Sequence, residues 1–201
     1  MGLRHARHRF MPHMLVFPGG RVDRADHRAP ASSELRASTR ACLERLAAPG
    51  LARALGVAAA REMLEETGLA LGHLDGGRLL PDLGALDYLC RAVTPAAMPI
   101  RFNARFLVAP AEAASGAIRG SGELEDLRFF TLEEASGHRL ATITAKILAE
   151  FRGWLAMSQA EREARELVYF RGMDNRLPEL SYGIRVIASV GRRIPGRDGR
   201  A

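Results

Sequence analysis

The nine residues Arg61-Glu62-Met63-Leu64-Glu65-Glu66-Thr67-Gly68-Leu69 constrain this chain more than any other stretch. They set three carboxylates on little more than one helical turn and then place a glycine where the helix must stop. At 3.6 residues per turn Glu62, Glu65 and Glu66 stand at i, i+3 and i+4 and share one face. Like charges at those spacings repel, so the face needs compensation. Two readings satisfy that need. One is a solvated acidic face. The other is a site for hard divalent cations, which take carboxylate oxygens and keep several waters. Gly68 suits the left-handed position just past a helix end, and Leu69 opens a new apolar run.

A second stretch favours the cation. Phe17-Pro18-Gly19-Gly20-Arg21-Val22-Asp23-Arg24-Ala25-Asp26 is a Gly-Gly turn followed by two acids. Taken with Arg61 through Leu69, it resembles the Nudix box: Gly, five residues, Glu, seven residues, then Arg-Glu-hydrophobe-x-Glu-Glu-x-Gly-hydrophobe. Gly20 and Asp26 have the first spacing, and Arg61–Leu69 match the second half position for position. Asp26 stands in place of the family's Glu, and residues 27–60 fill a gap that the plain box closes in seven. An insertion there is familiar from the Nudix branch that includes acyl-CoA diphosphatases.

The resemblance implies an α/β (α+β) fold, a Nudix-type α/β/α sandwich around a mixed β-sheet. It also implies a Mg2+ (or Mn2+) site built from Glu62, Glu65 and Glu66 with the backbone carbonyl around Gly19-Gly20. Gly19, Gly20, Asp26 and Gly68 are the structural positions of the box, with Arg61 bracing the carboxylates against Asp26. The general base is Glu62 or a glutamate of a later loop. Glu123 and Glu125 are the loop candidates, and Glu123, at the loop end, is preferred. The activity implied is hydrolysis of a diphosphate link in a small nucleoside diphosphate derivative. The reading fails if the three glutamates point apart, or if arginines neutralise them and leave no room for a cation.

Substrate class rests on a thinner match. The CoA-diphosphatase branch carries two arginines five residues apart upstream of Phe-Pro-Gly-Gly, and Arg4 and Arg9 have that spacing. His5 and His13 depart from the branch pattern. Arg4 or Arg9 is therefore expected on a ribose 3'-phosphate, with Arg21 as a further substrate contact. The alternatives are ADP-ribose, a dinucleoside polyphosphate or a nucleoside triphosphate, with Tyr88, Phe102 or Phe106 stacking on a base. A third is an inactive Nudix-like module that holds RNA or a partner.

Composition narrows the rest. At 201 residues and 47% hydrophobic, the chain is read as one domain over residues 1–190 with a basic, disordered tail at 191–201. No apolar run reaches membrane-spanning length, and no signal peptide is recognisable, so a cytoplasmic protein with no membrane partner is expected. Cys42 and Cys90 read as reduced buried thiols. Net charge is +6, but Lys146 is the one lysine among 29 basic residues, a bias that reads as compositional rather than nucleic-acid binding. Family members often dimerise, so a homodimer is among the expectations.

Met14–Phe17 reads as a strand reaching the Gly-Gly turn almost at once, so the first strand is expected to be missing or truncated, leaving an exposed sheet edge. The insertion, about 27–53, contains a predicted helix over 31–47 capped by Ser32 or Ser33, with Leu35, Thr39, Cys42, Leu43 and Leu46 at helical spacing. Strands are expected at 83–93, 100–109, 124–131 and 167–170, with a turn at Asp75-Gly76-Gly77 and a loop at 115–122. A helix over 142–157 carries Ile143, Ile147, Leu148, Phe151 and Leu155 on its apolar side.

Overall fold

The computed structural model describes residues 1–5, 7, 12–45, 47–48, 50–95, 97–98, 101–172 and 175–178. Arg9, Leu46, Pro49 and the segment 191–201 lie outside the described residues. Among the described residues no helix is long and apolar enough to cross a membrane.

Among the described residues the strands form three small sheets. β1 (Gly2–Arg4) lies between β2 (Leu15–Val16) and β8 (Leu124–Glu125), antiparallel to both. β3 (Leu69–Asp75) and β4 (Arg78–Pro81) form a hairpin, and β7 (Ala114–Gly116) pairs with the other side of β3. The four-stranded sheet has the order β10-β9-β5-β6, from β5 (Asp87–Val93), β6 (Asn103–Val108), β9 (Val168–Arg171) and β10 (Asn175–Pro178). There β5 and β9 are parallel and the other pairs antiparallel, so the sheet is mixed.

Helices cover both of its faces. α1 (Ala37–Glu44) and α2 (Leu51–Thr67) contribute Leu43, Leu55, Val57 and Ala60 to a cluster with Tyr88 and Leu107. On the opposite face α4 (Thr142–Leu155) sets Ile147 and Trp154 against Cys90, Ala92, Val168, Phe170 and Phe106. Alternation along β6 explains the sorting, since Phe106 and Leu107 fall on opposite faces. The result is the layered α/β/α arrangement expected from the box. Short helices α3 (Leu132–Gly137) and α5 (Gln159–Ala164) both start on full capping boxes, Thr131 with Glu134 and Ser158 with Glu161.

Several expectations need correction. The first strand is short, the three-residue β1, as expected, but it lies at the centre of its sheet rather than at an exposed edge. The insertion helix starts at Ala37, not Ala31, because an isolated parallel bridge between Ser33 and Asp82 keeps the preceding residues extended. Ser33 therefore caps nothing. Its hydroxyl donates to the Asp82 carboxylate and accepts from the Gly84 N–H at 2.8 Å. The 124–131 strand shrinks to Leu124–Glu125, since Asp126 has a φ of 44° and ends the ladder. In the 115–122 loop, Ser115 and Gly116 belong to a strand.

On α4 the buried aromatic is Trp154, covered by the Arg162 guanidinium 3.7 Å from its ring, whereas Leu155 is 48% exposed. Cys90 is buried, but Cys42 is half-buried. The hairpin β3–β4 follows from the turn already read at 75–77. Gly76 and Gly77 have φ of 54° and 83°, the left-handed pair that a two-residue hairpin loop requires.

Between Tyr88 and Cys90 the β5–β6 register slips by one residue. Arg165 plugs that irregularity: its Nη2 donates to the Tyr88 carbonyl at 2.8 Å and to the Leu89 carbonyl at 2.5 Å. Its Nη1 reaches Glu150 at 3.3 Å.

Candidate functional site

The site is assembled at the C-terminal end of α2. Ala52, Ala54, Leu55, Val57, Ala58 and Ala60 bury the helix's inner side, so the acids of the last turns face outward. Gly68 stops the helix with φ 75°, and its N–H donates to the Leu64 carbonyl at 2.9 Å. A Cβ there would also stand 2.7 Å from the Ala117 carbonyl oxygen, so position 68 needs glycine on two counts.

Residues 17–26 fold over that end. The Gly19 N–H donates to Glu66 Oε2 at 3.0 Å. At Gly20 a Cβ would fall 2.1 Å from Glu62 Oε1, so the absent side chain is what lets the Glu62 carboxylate approach the turn. Asp26, 2% exposed, accepts the Asp23 N–H at 2.7 Å. It also receives the Arg61 fork, Nε at 3.0 Å on one oxygen and Nη2 at 3.1 Å on the other. The shorter Asp thus still takes both arms of the guanidinium, in the two-pronged geometry that makes such pairs specific.

Arg61 is the hub. Nη2 also donates to the Arg21 carbonyl at 2.8 Å, and Asp23 lies 3.9 Å away. Nη1 donates to Glu62 Oε1 and to Glu65 Oε2, each at 2.9 Å. The bonds and charges of Asp26 first, and then of Glu62, raise the Arg61 pKa above its ordinary value against the opposing effect of burial. Glu66 is displaced in the opposite sense for a carboxylate. Burial pushes its pKa up, the Gly19 N–H offsets part of that, the charges of Glu62 and Glu123 push it up further, and Arg4 draws it down.

Arg4 and Glu123 both act on the charge of Glu66 although they are far apart in sequence. The β1–β8 pairing brings them there: Arg4 registers with Leu124, and the His5 N–H reaches the Glu123 carbonyl at 3.3 Å. Glu125 points elsewhere and meets the His5 ring at 3.3 Å.

Comparison with solved structures finds a similar fold. The crystal structure of a NUDIX hydrolase from Alicyclobacillus acidocaldarius superposes with a TM-score of 0.54 at 24% sequence identity, covering 74% of this chain and 80% of that one. The chain has the Nudix fold. No family model matches the sequence, and no curated protein matches it.

Gly19, Gly20, Asp26, Arg61, Glu62, Glu65 and Glu66 meet at one place despite the insertion, while Gly68 closes the helix against Ala117 and Arg119. Arg21 contributes its backbone carbonyl. Of the aromatic candidates, Tyr88 is 5% exposed and belongs to the core, while Phe102 is 41% exposed. Phe106 packs edge-on against Phe17 with ring centroids 5.9 Å apart. A cavity of about 380 Å³ lies along the inserted α1 among Glu34, Leu35, Ala37, Arg40, Ala41 and Glu44, and no box residue lines it.

Among the described residues no group of three acids, histidines or cysteines is arranged to hold an ion. Arg61 Nη1 takes one oxygen from each of Glu62 and Glu65, and the Gly19 N–H takes one from Glu66. The charge count points the other way. One guanidinium faces Asp26, Glu62 and Glu65 within 3.1 Å, with Glu66 beside them. An all-oxygen donor set with surplus negative charge suits a hard divalent cation.

Two features escaped the sequence reading: the Gly19 N–H on Glu66, and the Arg21 carbonyl on Arg61. Neither is written in the residue types: a Cβ at Gly19 would meet no atom within 4 Å, and Arg21 acts through its backbone.

Proposed function

We propose that this chain is a Mg2+- or Mn2+-dependent Nudix hydrolase that opens the diphosphate link of a nucleoside diphosphate derivative, with CoA or acyl-CoA as the first candidate substrate. The observation that carries the proposal is the meeting of Asp26, Arg61, Glu62, Glu65 and Glu66 under the Gly19-Gly20 turn, across an insertion that separates the two halves of the motif.

In this reading Glu62, Glu65 and Glu66 supply the cation ligands, with the Gly20 carbonyl as a backbone ligand. A bound divalent ion neutralises diphosphate charge and lowers the pKa of a coordinated water. Arg61, held by its fork on Asp26, fixes where Glu62 and Glu65 can point. Glu123 takes a proton from the attacking water, and its charge, felt at Glu66, supports that assignment. Water adds to one phosphorus, the bridging P–O bond breaks, and two phosphomonoesters leave. Arg4 contacts substrate phosphate from the same side, with Arg9 and Arg21 as further proposed contacts.

The test is a panel of CoA, acyl-CoA, ADP-ribose, dinucleoside polyphosphates and nucleoside triphosphates with Mg2+, products resolved by chromatography, run beside Glu65→Gln. The expected result is Mg2+-dependent release of 3',5'-ADP and a 4'-phosphopantetheine compound from CoA, abolished in the variant while its fold persists. Preferential cleavage of ADP-ribose would keep the chemistry and change the substrate. Absence of any hydrolysis, with salt-sensitive RNA binding, would establish the binding-module alternative instead.

A further inference from the structure

We propose that Gly116 is a positioning residue for Glu123: its missing side chain lets the loop 117–123 seat on the end of α2, and that seat sets where Glu123 stands relative to the helix. The inference rests on the hydrolase reading above and adds the feature that places the proposed base.

Two backbones meet at this seat with no side chain between them. Gly116 of β7 lies opposite Leu69 of β3. A Cβ on Gly116 would stand 2.7 Å from the Gly68 carbonyl oxygen, and a Cβ on Gly68 would stand 2.7 Å from the Ala117 carbonyl oxygen. Both obstacles are backbone atoms, which cannot swing aside as the end of a side chain can. Gly116 also has a φ of 101°, a region open to glycine. One glycine of the pair belongs to the box. The other lies far outside it.

From that contact the chain takes a short, pinned path to Glu123. The Arg119 N–H donates to the Thr67 carbonyl at 2.8 Å, which ties the loop to the residue after Glu66. Beyond the tie the chain turns back on itself. A Cβ at Gly120 would lie 3.2 Å from the Leu124 carbonyl oxygen, and the Glu123 N–H donates to the Ser121 hydroxyl at 3.4 Å. On the other side β1 holds Glu123, the His5 N–H donating to its carbonyl at 3.3 Å. Glu123 is thus slung between two anchors.

The anchors do different work. β1 and β8 belong to one sheet and β3 and β7 to another, so the β1 anchor fixes Glu123 against Arg4 while the loop fixes it against α2. A general base must stand within hydrogen-bond reach of the water it deprotonates. In the hydrolase reading that water belongs to the acids of α2, so the loop anchor is the one that matters for chemistry. The charge of Glu123 acts on Glu66, as a link of this kind provides. An alanine at 116 must push β7 off Leu69 or lift the loop from Gly68, and either shift passes along the chain to Glu123.

The test is a double-mutant cycle on the full chain, with Mg2+ and CoA, or with ADP-ribose should the panel favour it. Glu123→Gln is expected to lower kcat about a hundredfold, the share of a general base. Gly116→Ala is expected to lower kcat about tenfold with KM unchanged, because small misplacements of a reacting group are costly. In the Glu123→Gln background the same change is expected to cost nothing further, since the group it displaces is gone. An equal loss in both backgrounds shows a general disturbance and overturns the inference. So does a folded Gly116→Ala with the kcat of the parent chain.

Should Gly116→Ala fail to fold, one glycine inserted between Gly120 and Ser121 slackens the same path in an exposed loop, where added length is tolerated. The insertion is expected to lower kcat in the parent chain and to have no effect beside Glu123→Gln. A kcat equal to that of the parent overturns the inference. Undiminished turnover in Glu123→Gln alone removes the base, and this inference with it, while the hydrolase reading stands. A parent chain that hydrolyses no diphosphate overturns both.

Discussion

Arg61 and Arg165 are both guanidinium groups held by a carboxylate and by backbone carbonyls, yet they sit in opposite charge balances. Arg165 is 7% exposed and shares Glu150 with Arg176, so two bases meet one acid, and its remaining donors go to the carbonyls at the β5 irregularity. Arg61 is 24% exposed and meets three acids at 3.1 Å or less with a fourth beside them. A buried acid outnumbered by its bases locks a fold. A cluster with surplus charge and an open side holds a place for something mobile. The same residue type marks a structural pin in one region and the hub of the proposed reactive centre in the other.

The comparison can be broken most easily by activity. Glu66→Gln and Glu62→Gln are each expected to lower diphosphate hydrolysis about a thousandfold, with the urea midpoint close to that of the parent chain. Arg165→Met is the mirror case. Leaving the Tyr88 and Leu89 carbonyls and Glu150 without this donor should cost about 3 kcal/mol in urea denaturation, with kcat/KM per folded molecule unchanged. Equal losses of stability and activity in both sets would erase the distinction drawn between the two arginines.

Gly20→Ala sharpens the picture on the site side. The added methyl collides with the flexible end of Glu62, which can swing away, so the melting temperature should barely move. Displacing that carboxylate should lower kcat/KM about tenfold, or about 1.4 kcal/mol of transition-state stabilisation.

The smallest effect is in pH dependence, where the sign separates the regions. Glu66 has its folded pKa raised, chiefly by burial, so its contribution to the metal-free fold is full below the unfolded value and is lost as pH rises through the folded one. Glu134 and Glu161 are lowered, Glu134 chiefly by the Thr131 N–H and Glu161 chiefly by the Ser158 hydroxyl. Their contributions are present above the unfolded value and are lost as pH falls through the folded one. Urea midpoints across the acidic range should therefore rise more steeply with pH in Glu66→Gln than in the parent chain. Identical profiles would remove Glu66 from the buried, charge-crowded position assigned to it.

Most of the site could be read from residue order, because spacing on a helix is rigid and a Gly-Gly turn permits few alternatives. Glu62, Glu65 and Glu66 fell on one face, and Asp26 met Arg61, as the box implies. Their hydrogen-bonding partners could not be read that way. Whether Arg61 turns Nη1 toward Glu65 or away depends on packing among residues far apart in sequence.

The fold shows the same division. The end of the helix 51–67 announces itself by glutamate spacing and Gly68, the helix 142–155 by apolar spacing, and strands were expected at 83–93 and 100–109, where β5 and β6 lie. The late start of α1 was hidden because it depends on Ser33 meeting Asp82, and the strand at Ala114–Gly116 because its small residues look like a loop until Leu69–Leu71 pairs with them. The slip at Leu89 needs Arg165 from the far end of the chain.

The Asp26–Arg61 fork has one more consequence. Its two members flank residues 27–60, so the pair works as a clasp at the foot of a long loop, and the cost of closing such a loop grows only slowly with its length. Leu35 and Leu43 dock the span before α2 onto the core, so length can change only in the exposed stretches between those fixed points. Such stretches can vary while the acids at the end of α2 keep their places.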